Sequence, residues 1–420
     1  MDSSMNRDGS TAAFGADFFV GMMIVSAFAL FVTNFDLFLS VRGYLPINTL
    51  IVFVVFSAGF TGLILATSDH GRTLDRIVLG LRMNAGPVLI LLLWIAAHVI
   101  SAGRIVLSGG DVDYAQILPV FQLAVLAVGM ILASLDTDGR WIVLASHLAI
   151  FVLGASIIFE TIFPGALGTS AARTGGFALN ANIPGFIIPA LLAVSLDFRR
   201  IRLADLAVIL FSLVAVSATL SRMGLGFLGS VICTYALIFF LRGGATAGLR
   251  KILLGGLFLA LSALLMIGSF SILSMSSSAT NTEFSTRIKT ILGGQSVLED
   301  PYRGPLLDHF IEVASQKPWV GYGPGDTLMN AVTRAPLGLG PHNMFVRAWV
   351  DTGLAGLFLY AAFIASIVCL GIVRRSVSAT MVGTLVAAYG LFSHNVIDNK
   401  AVLILLGIAL GQSAFKRVER

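Results

Sequence analysis

The chain reads as a succession of long apolar runs broken by short polar turns, with one polar interruption far longer than the others. A helix that crosses a bilayer needs about 20 mostly apolar residues, and about twelve runs approach that requirement. In order they are Phe18–Asn34, Tyr44–Thr67, Gly86–Ala102, Ala115–Leu135, Trp141–Phe163, Ile183–Leu196, Leu206–Leu220, Gly224–Leu241, Ile252–Leu273, Met344–Val373, Ala379–Val396 and Ala401–Ala414. The pattern predicts an all-α, polytopic integral membrane protein built as one structural unit. Residues 1–273 carry the first group of transmembrane helices, 274–342 form the long polar segment, and 343–420 carry the last group. Inside the polar segment, Pro305–Gln316 has helical spacing. Leu306, Phe310 and Val313 or Ala314 make one apolar stripe, while Asp308, Glu312 and Gln316 fall elsewhere, so a short surface helix is expected. Pro318-Trp319 and the sequence GYGPGD mark its end and a turn.

Composition and charge then settle the class and suggest an orientation. With 57% hydrophobic and only 12% charged residues, and a mean hydropathy of +0.92, the chain is too poor in charge for a soluble domain. Its two cysteines, Cys233 and Cys369, each lie within an apolar run, so neither a disulfide nor a zinc framework follows. Alternating the loops between the two membrane faces gathers most arginines on one of them. That face has a basic loop with Arg72, Arg76 and Arg82, the loop with Arg199, Arg200 and Arg202, the stretch 242–251, and Arg374-Arg375. The positive-inside rule makes it cytoplasmic, with both termini, and sends the long segment to the outer side of the membrane. The N-terminus lacks the layout of a cleaved signal peptide, so the first span is expected to stay in the protein. The net charge of +5 is read through this topology rather than as a sign of nucleic-acid binding.

Against that rule, several arginines face outward: Arg173, Arg222, Arg287 and Arg303, all at or just above helix ends. A guanidinium grips phosphate oxygens bidentately and stays charged at any physiological pH, which suggests an anionic ligand, a diphosphate above all. The alternative is that they hold lipid headgroups or pair with nearby acids such as Glu160, Glu283 and Asp300. His342, followed by Asn343, stands where the long segment re-enters the membrane. A neutral imidazole there suits proton removal from a sugar hydroxyl, the alternative being a histidine satisfied at a helix N-terminus. His309 is expected to be solvated, and His98 and His147 to make structural hydrogen bonds. His394, Asn395, Asp398 and Asn399 form a second outward polar cluster. Arg347 and Asp351, four apart, share a helix face as a local ion pair. No HExxH, zinc-spaced Cys/His set, P-loop or GxSxG elbow occurs, so no metal, nucleotide or other cofactor is expected.

Over residues 140–410 the chain resembles the O-antigen ligase and polysaccharide polymerase superfamily of bacterial membrane glycosyltransferases. The matching pieces are Arg173-Thr-Gly-Gly-Phe with Asn180-Ala-Asn182, Ser221-Arg222-Met-Gly, Arg287, and Arg303 ahead of the surface helix. They continue with Pro318-Trp-Val-Gly-Tyr-Gly-Pro-Gly and His342-Asn343, then Gly353 and Gly356. The resemblance implies metal-independent, inverting transfer of a glycan from undecaprenyl diphosphate to an acceptor sugar hydroxyl. The acceptor would be lipid A core for a ligase, or a growing polysaccharide for a polymerase of O-antigen or exopolysaccharide. It implies that Arg222 and Arg287 act with His342 in catalysis, His342 as general base. Arg173, Arg303, Asn182 and Asn343 would bind substrate, and membrane lipids would surround the whole. The paired arginine-to-glycine repeats described for some polymerases are absent, since Pro184 and Leu298 stand where the glycines would be, and that favours the ligase.

A transporter or flippase of lipid or solute is the rival class. The chain shows no matching halves and few ionisable residues within its spans, both of which weigh against it.

Overall fold

The computed structural model describes residues 8–45, 52–62 in part, 70–109, 118–136, 138–167, 174–198, 202–241, 303–324 and 340–415. Every regular element among them is helical: α1 (Asp8–Ala27), α2 (Phe35–Val41), α3 (His70–Met83), α4 (Ala85–Leu107), α5 (Leu118–Leu135), α6 (Arg140–Ile162), α7 (Asn182–Ser195), α8 (Leu203–Ala218) and α9 (Arg222–Leu241). After them come α10 (Arg303–Gln316), α11 (Met344–Val373), α12 (Val377–Phe392) and α13 (Lys400–Phe415). Most of these follow the apolar runs within a few residues. Among the described residues, α4, α6, α9 and α11 are long and apolar enough to cross a bilayer, and α1 with α2 adds a fifth candidate bent by 48°. Five further apolar helices are shorter. The run Ile252–Leu273 lies outside the described residues, and Tyr44–Thr67 lies there in part.

One expectation is corrected. The stretch with Arg72, Arg76 and Arg82, expected as a basic loop, is the helix α3. Leu74, Ile77, Val78 and Leu81 recur at i, i+3, i+4 and i+7, which is the spacing of one helical face, so the four charged residues do not prevent helix formation.

The chain packs as two compact units. In the first, residues 1–77 and 132–293, the innermost element is α7. It is apolar on all sides, and Pro184 to Ser195 are buried without a break. Helices α6 and α9 pack against it. Gly224 of α9 meets Gly185 of α7 so closely that a methyl group added to Gly224 would lie 2.7 Å from the Gly185 Cα. On the other flank of α6, Gly21 of α1 accommodates the Trp141 indole, whose Nε1 donates to Asp17 (3.3 Å).

The second unit, residues 78–131 and 294–420, repeats the theme with α13, where Ala401 to Leu406 are all almost fully buried. Gly129 of α5 and Gly407 of α13 are mutual close-approach points, small residues letting two backbones meet without a side chain between them. At one end of this unit Arg374, just past α11, donates to Asn84 Oδ1 (2.7 Å), to Ser413 Oγ (2.8 Å) and to the Met83 carbonyl. Asn84 in turn donates to the carbonyls of Gly80 (2.8 Å) and Leu410 (3.5 Å). That knot ties the end of α3, the start of α4 and the ends of α11 and α13 together.

Candidate active site

In the first unit three short sequence motifs meet at one end of the bundle. Helix α9 begins at Arg222, and the turn before it is fixed from within. The Ser221 N–H donates to Thr219 Oγ1 (3.2 Å), and the Gly224 N–H donates to Ser221 Oγ (3.2 Å) as an N-terminal cap. Ser221 Oγ also lies 3.4 Å from Asn182 Oδ1, so the residue that opens α7 touches the turn that opens α9. Thr174 donates to the carbonyl of Ala218 (2.8 Å), bringing the third motif against the same turn. The Thr174–Asn182 segment is held from below by α6. Glu160, buried at 1% exposure, accepts the N–H groups of Gly175 (2.9 Å) and Gly176 (2.8 Å) through one carboxylate oxygen. Glu160 therefore serves this loop's backbone. Gly176 has φ +56°, and a methyl group there would lie 2.3 Å from Ser156 Oγ, so no other residue fits that bend.

The result is a half-buried Arg222 at the head of a membrane-length helix, where the positive end of the helix dipole adds to its positive charge. An anionic group is favoured there on both counts. Arg173, one residue before Thr174, and Arg287 lie outside the described residues.

In the second unit His342 stands two residues before α11, at φ +49°. Asn343 is the N-cap of that helix: its Oδ1 accepts from Phe345 (2.9 Å) and Val346 (3.2 Å). Its side-chain oxygen thus fixes the direction in which α11 leaves the loop carrying His342. The His342 ring meets the ring of His394 edge-on, centroids 5.2 Å apart. Gly340 presses on the same His394 ring, at 2.8 Å from an added methyl group, so His394 is the floor of this loop. His394 lies in the connection between α12 and α13. Burial first, then the Arg347 charge and then His342, push its pKa down to about 3.

That shift has a sign. The folded protein holds His394 neutral while the unfolded chain protonates it near 6.5, so its contribution is complete above that value and is lost as pH falls toward 3. The thermal midpoint of the purified protein is expected to fall between pH 7 and pH 5. His394→Asn is expected to show a shallower decline, and an equal decline in both proteins would show that His394 carries none of it.

Below the histidines lies a buried ion network. Arg347 pairs with Asp351 (Nε to Oδ2, 3.4 Å), as the spacing predicted, and with Asp398, which the spacing did not reveal. Its Nη1 also donates to the carbonyl of His394 (2.7 Å), and Gln122 donates to Asp398 (3.2 Å). The polar cluster around His394 is therefore built into α11 through Arg347. As expected, His98 is used structurally, with Nδ1 2.9 Å from the Trp94 carbonyl.

The surface helix α10 begins at Arg303 and lies on α11. Leu306, Phe310 and Ala314 are its buried stripe, packed with Val346 and Val350. The loop after it is stitched into a break in α11. Tyr322 donates to the Val350 carbonyl (2.8 Å), Gly323 to that of Asp351 (2.9 Å), and Leu354 returns a bond to Pro318 (2.7 Å). The break is Gly353, at φ +73° and ψ −165°. Pro318-Trp-Val-Gly-Tyr-Gly and Gly353, distant in sequence, are thus two sides of one joint. A methyl group on Gly353 would lie 2.4 Å from the Trp319 carbonyl. Gly353→Ala is expected to cost about 3 kcal/mol, the upper end for a strained backbone residue, read as a lower unfolding midpoint in detergent. An unchanged midpoint would mean the joint relaxes freely.

Of the residues expected to act, Asn182 and Arg222 come together in the first unit, and His342 and Asn343 stand together in the second, with Arg303 heading the helix packed on α11. Sequence reasoning missed Glu160 as the loop's anchor and Asp398 as the partner of Arg347. A carboxylate followed 15 residues later by Gly-Gly gives no pattern to read.

Comparison with known proteins yields one family: residues 207–361 match the model described as O-antigen ligase. The match takes in Arg222, Arg303, the Pro318–Gly323 loop, His342 and Gly353, and stops short of Asn182. No curated protein matches the chain.

Proposed function

We propose that the chain, whose residues 207–361 match the O-antigen ligase model, is a multi-pass membrane glycosyltransferase that moves a glycan from undecaprenyl diphosphate to a sugar hydroxyl at the periplasmic face of the inner membrane. The acceptor hydroxyl oxygen forms a bond to the anomeric carbon as the bond from that carbon to the diphosphate oxygen breaks. The electron pair leaves with the diphosphate, and the configuration inverts. His342 takes the hydroxyl proton, and Arg222, with Arg287, stabilises the charge that develops on the leaving diphosphate. Arg173, Arg303, Asn182 and Asn343 bind donor and acceptor, and Asn343 also caps the helix that follows the His342 loop. The donor's own phosphate ester bond supplies the driving force.

The observation that carries this reading is Arg222 as the first residue of an apolar helix, next in sequence to the Ser221 that touches Asn182, where charge and helix dipole act in the same direction. The orientation rests on cation placement. In the second unit, the end with Arg82, Arg374 and Arg375 is cytoplasmic, and the end with His342 faces outward. Of the two siblings, ligase is favoured by the absent arginine-to-glycine repeats.

The test is deletion of the gene, with surface and lipid-linked glycans separated by gel. Loss of long chains from lipid A core, with lipid-linked chains accumulating, is the expected result. Loss of polymer with single repeat units still attached assigns a polymerase instead. An unchanged glycan profile contradicts the proposal.

A further inference from the structure

Helix α3 has no part in the proposed chemistry, and its surface is divided. Leu74, Ile77, Val78 and Leu81 share one face, Arg82 and Asp75 border it beside Val78, and Arg76 sits on the opposite side. The apolar face is not used inside the protein: Leu74 is 54% exposed, and Val78 and Leu81 are also exposed. At 14 residues the helix is about 21 Å long, short of the roughly 30 Å hydrocarbon thickness, and it carries charges a span would not tolerate. It ends at Met83, with only Asn84 before Ala85 opens α4, the longest unbroken span candidate of its unit. Its last turn is tied by Asn84 and Arg374 to the ends of α11 and α13. So the C-terminal end of α3 is fixed against the start of α4 and the ends of α11 and α13, at the arginine-rich end of that unit.

From this placement we propose that α3 lies in the plane of the membrane and binds anionic phospholipid headgroups. Leu74, Ile77, Val78 and Leu81 enter the acyl region, and Arg76 and Arg82 engage lipid phosphates. The charge pattern selects this occupant. An aliphatic face with one arginine at its border and another on the opposite, polar side is complementary to a surface with phosphates above and hydrocarbon below. The knot at Arg374 holds the helix where that surface must be, so docking needs no rearrangement of the bundle. Bound in this way, α3 anchors the mouth of α4 against tilting, and the protein retains acidic lipid.

The test uses the full-length protein with Cys233 and Cys369 replaced by alanine, in nanodiscs of phosphatidylethanolamine with phosphatidylglycerol, or of phosphatidylcholine alone. Single cysteines are introduced as Leu74→Cys, Asp75→Cys, Val78→Cys and Leu79→Cys, then spin-labelled. Labels at 74 and 78 are expected to collide with oxygen and be shielded from a water-soluble nickel chelate, with the reverse at 75 and 79. Water access at all four positions would overturn the proposal, and so would shielding of 74 and 78 from both reagents, the mark of a protein partner on that face. Each of Arg76→Gln and Arg82→Gln is expected to lower the docked-to-undocked ratio of the Val78 label about fivefold in the phosphatidylglycerol discs, the equivalent of ~1 kcal/mol per arginine. A ratio indifferent to both substitutions and to lipid charge would overturn the headgroup assignment. Unaltered unfolding midpoints in detergent would confirm that the variants remain folded.

Discussion

Replacing Arg347 with alanine is expected to destabilise the second unit by about 3–5 kcal/mol, because it strands the buried Asp351 carboxylate and leaves the half-buried Asp398 without its cation. Arg347 and Asp351 are 5% and 3% exposed, and Asp398 is held by the same guanidinium. Without it, Asp351 and Asp398 either keep uncompensated charge in an apolar surrounding or take up protons. The His394 carbonyl loses its donor at the same time, so the floor beneath His342 is released. Thermal unfolding of the purified protein reads the loss directly. The triple replacement Arg347→Met, Asp351→Leu and Asp398→Leu removes all three charges and is expected to recover much of the stability, since burying an ion pair is itself costly. Equal midpoints for Arg347→Ala and the unaltered protein would show that the network contributes nothing.

The second large effect concerns rate rather than stability. On the proposed mechanism, Arg222→Ala is expected to lower glycan transfer by about 10²–10³, the usual cost of removing one group that stabilises developing charge. Arg222→Lys is expected to restore only part of it, because an ammonium is a point charge and cannot present two parallel N–H donors to a phosphate. The fold should survive both changes. The turn is held by Ser221, Thr219 and the Gly185–Gly224 contact, none of which uses the guanidinium. The check is transfer rate against donor concentration, with unfolding midpoints alongside. Full activity in Arg222→Lys would reduce its role to plain charge, and full activity in Arg222→Ala would remove it from the reaction.

Much of this architecture was legible in the chain because membrane helices announce themselves by long apolar runs. The surface helix α10 was visible through Leu306, Phe310 and Ala314, and these are the residues it buries. Helix α3 was misread because its three arginines outweighed an apolar spacing that is plain once the register is drawn. The joint between the Pro318–Gly323 loop and Gly353 could be read only as two separate glycine-bearing motifs. Nothing in one dimension says that a helix breaks in order to receive a loop 30 residues upstream. The ion pair Arg347–Asp351 followed from a spacing of four, whereas Asp398 lies on another connection and has no spacing to betray it. The partners found in space thus explain residues that the sequence presented singly: Asn182 through Ser221, and His342 through His394.

The most direct measurement is glycan transfer by the purified protein in liposomes, given an undecaprenyl-diphosphate-linked glycan and a sugar acceptor, with a chelator present and no nucleotide. Release of one undecaprenyl diphosphate for each glycan joined, lost in His342→Ala and in Arg222→Ala while both variants remain folded, is the predicted result. Absence of transfer by the unaltered protein with either class of acceptor, or undiminished transfer by the His342→Ala protein, would contradict it.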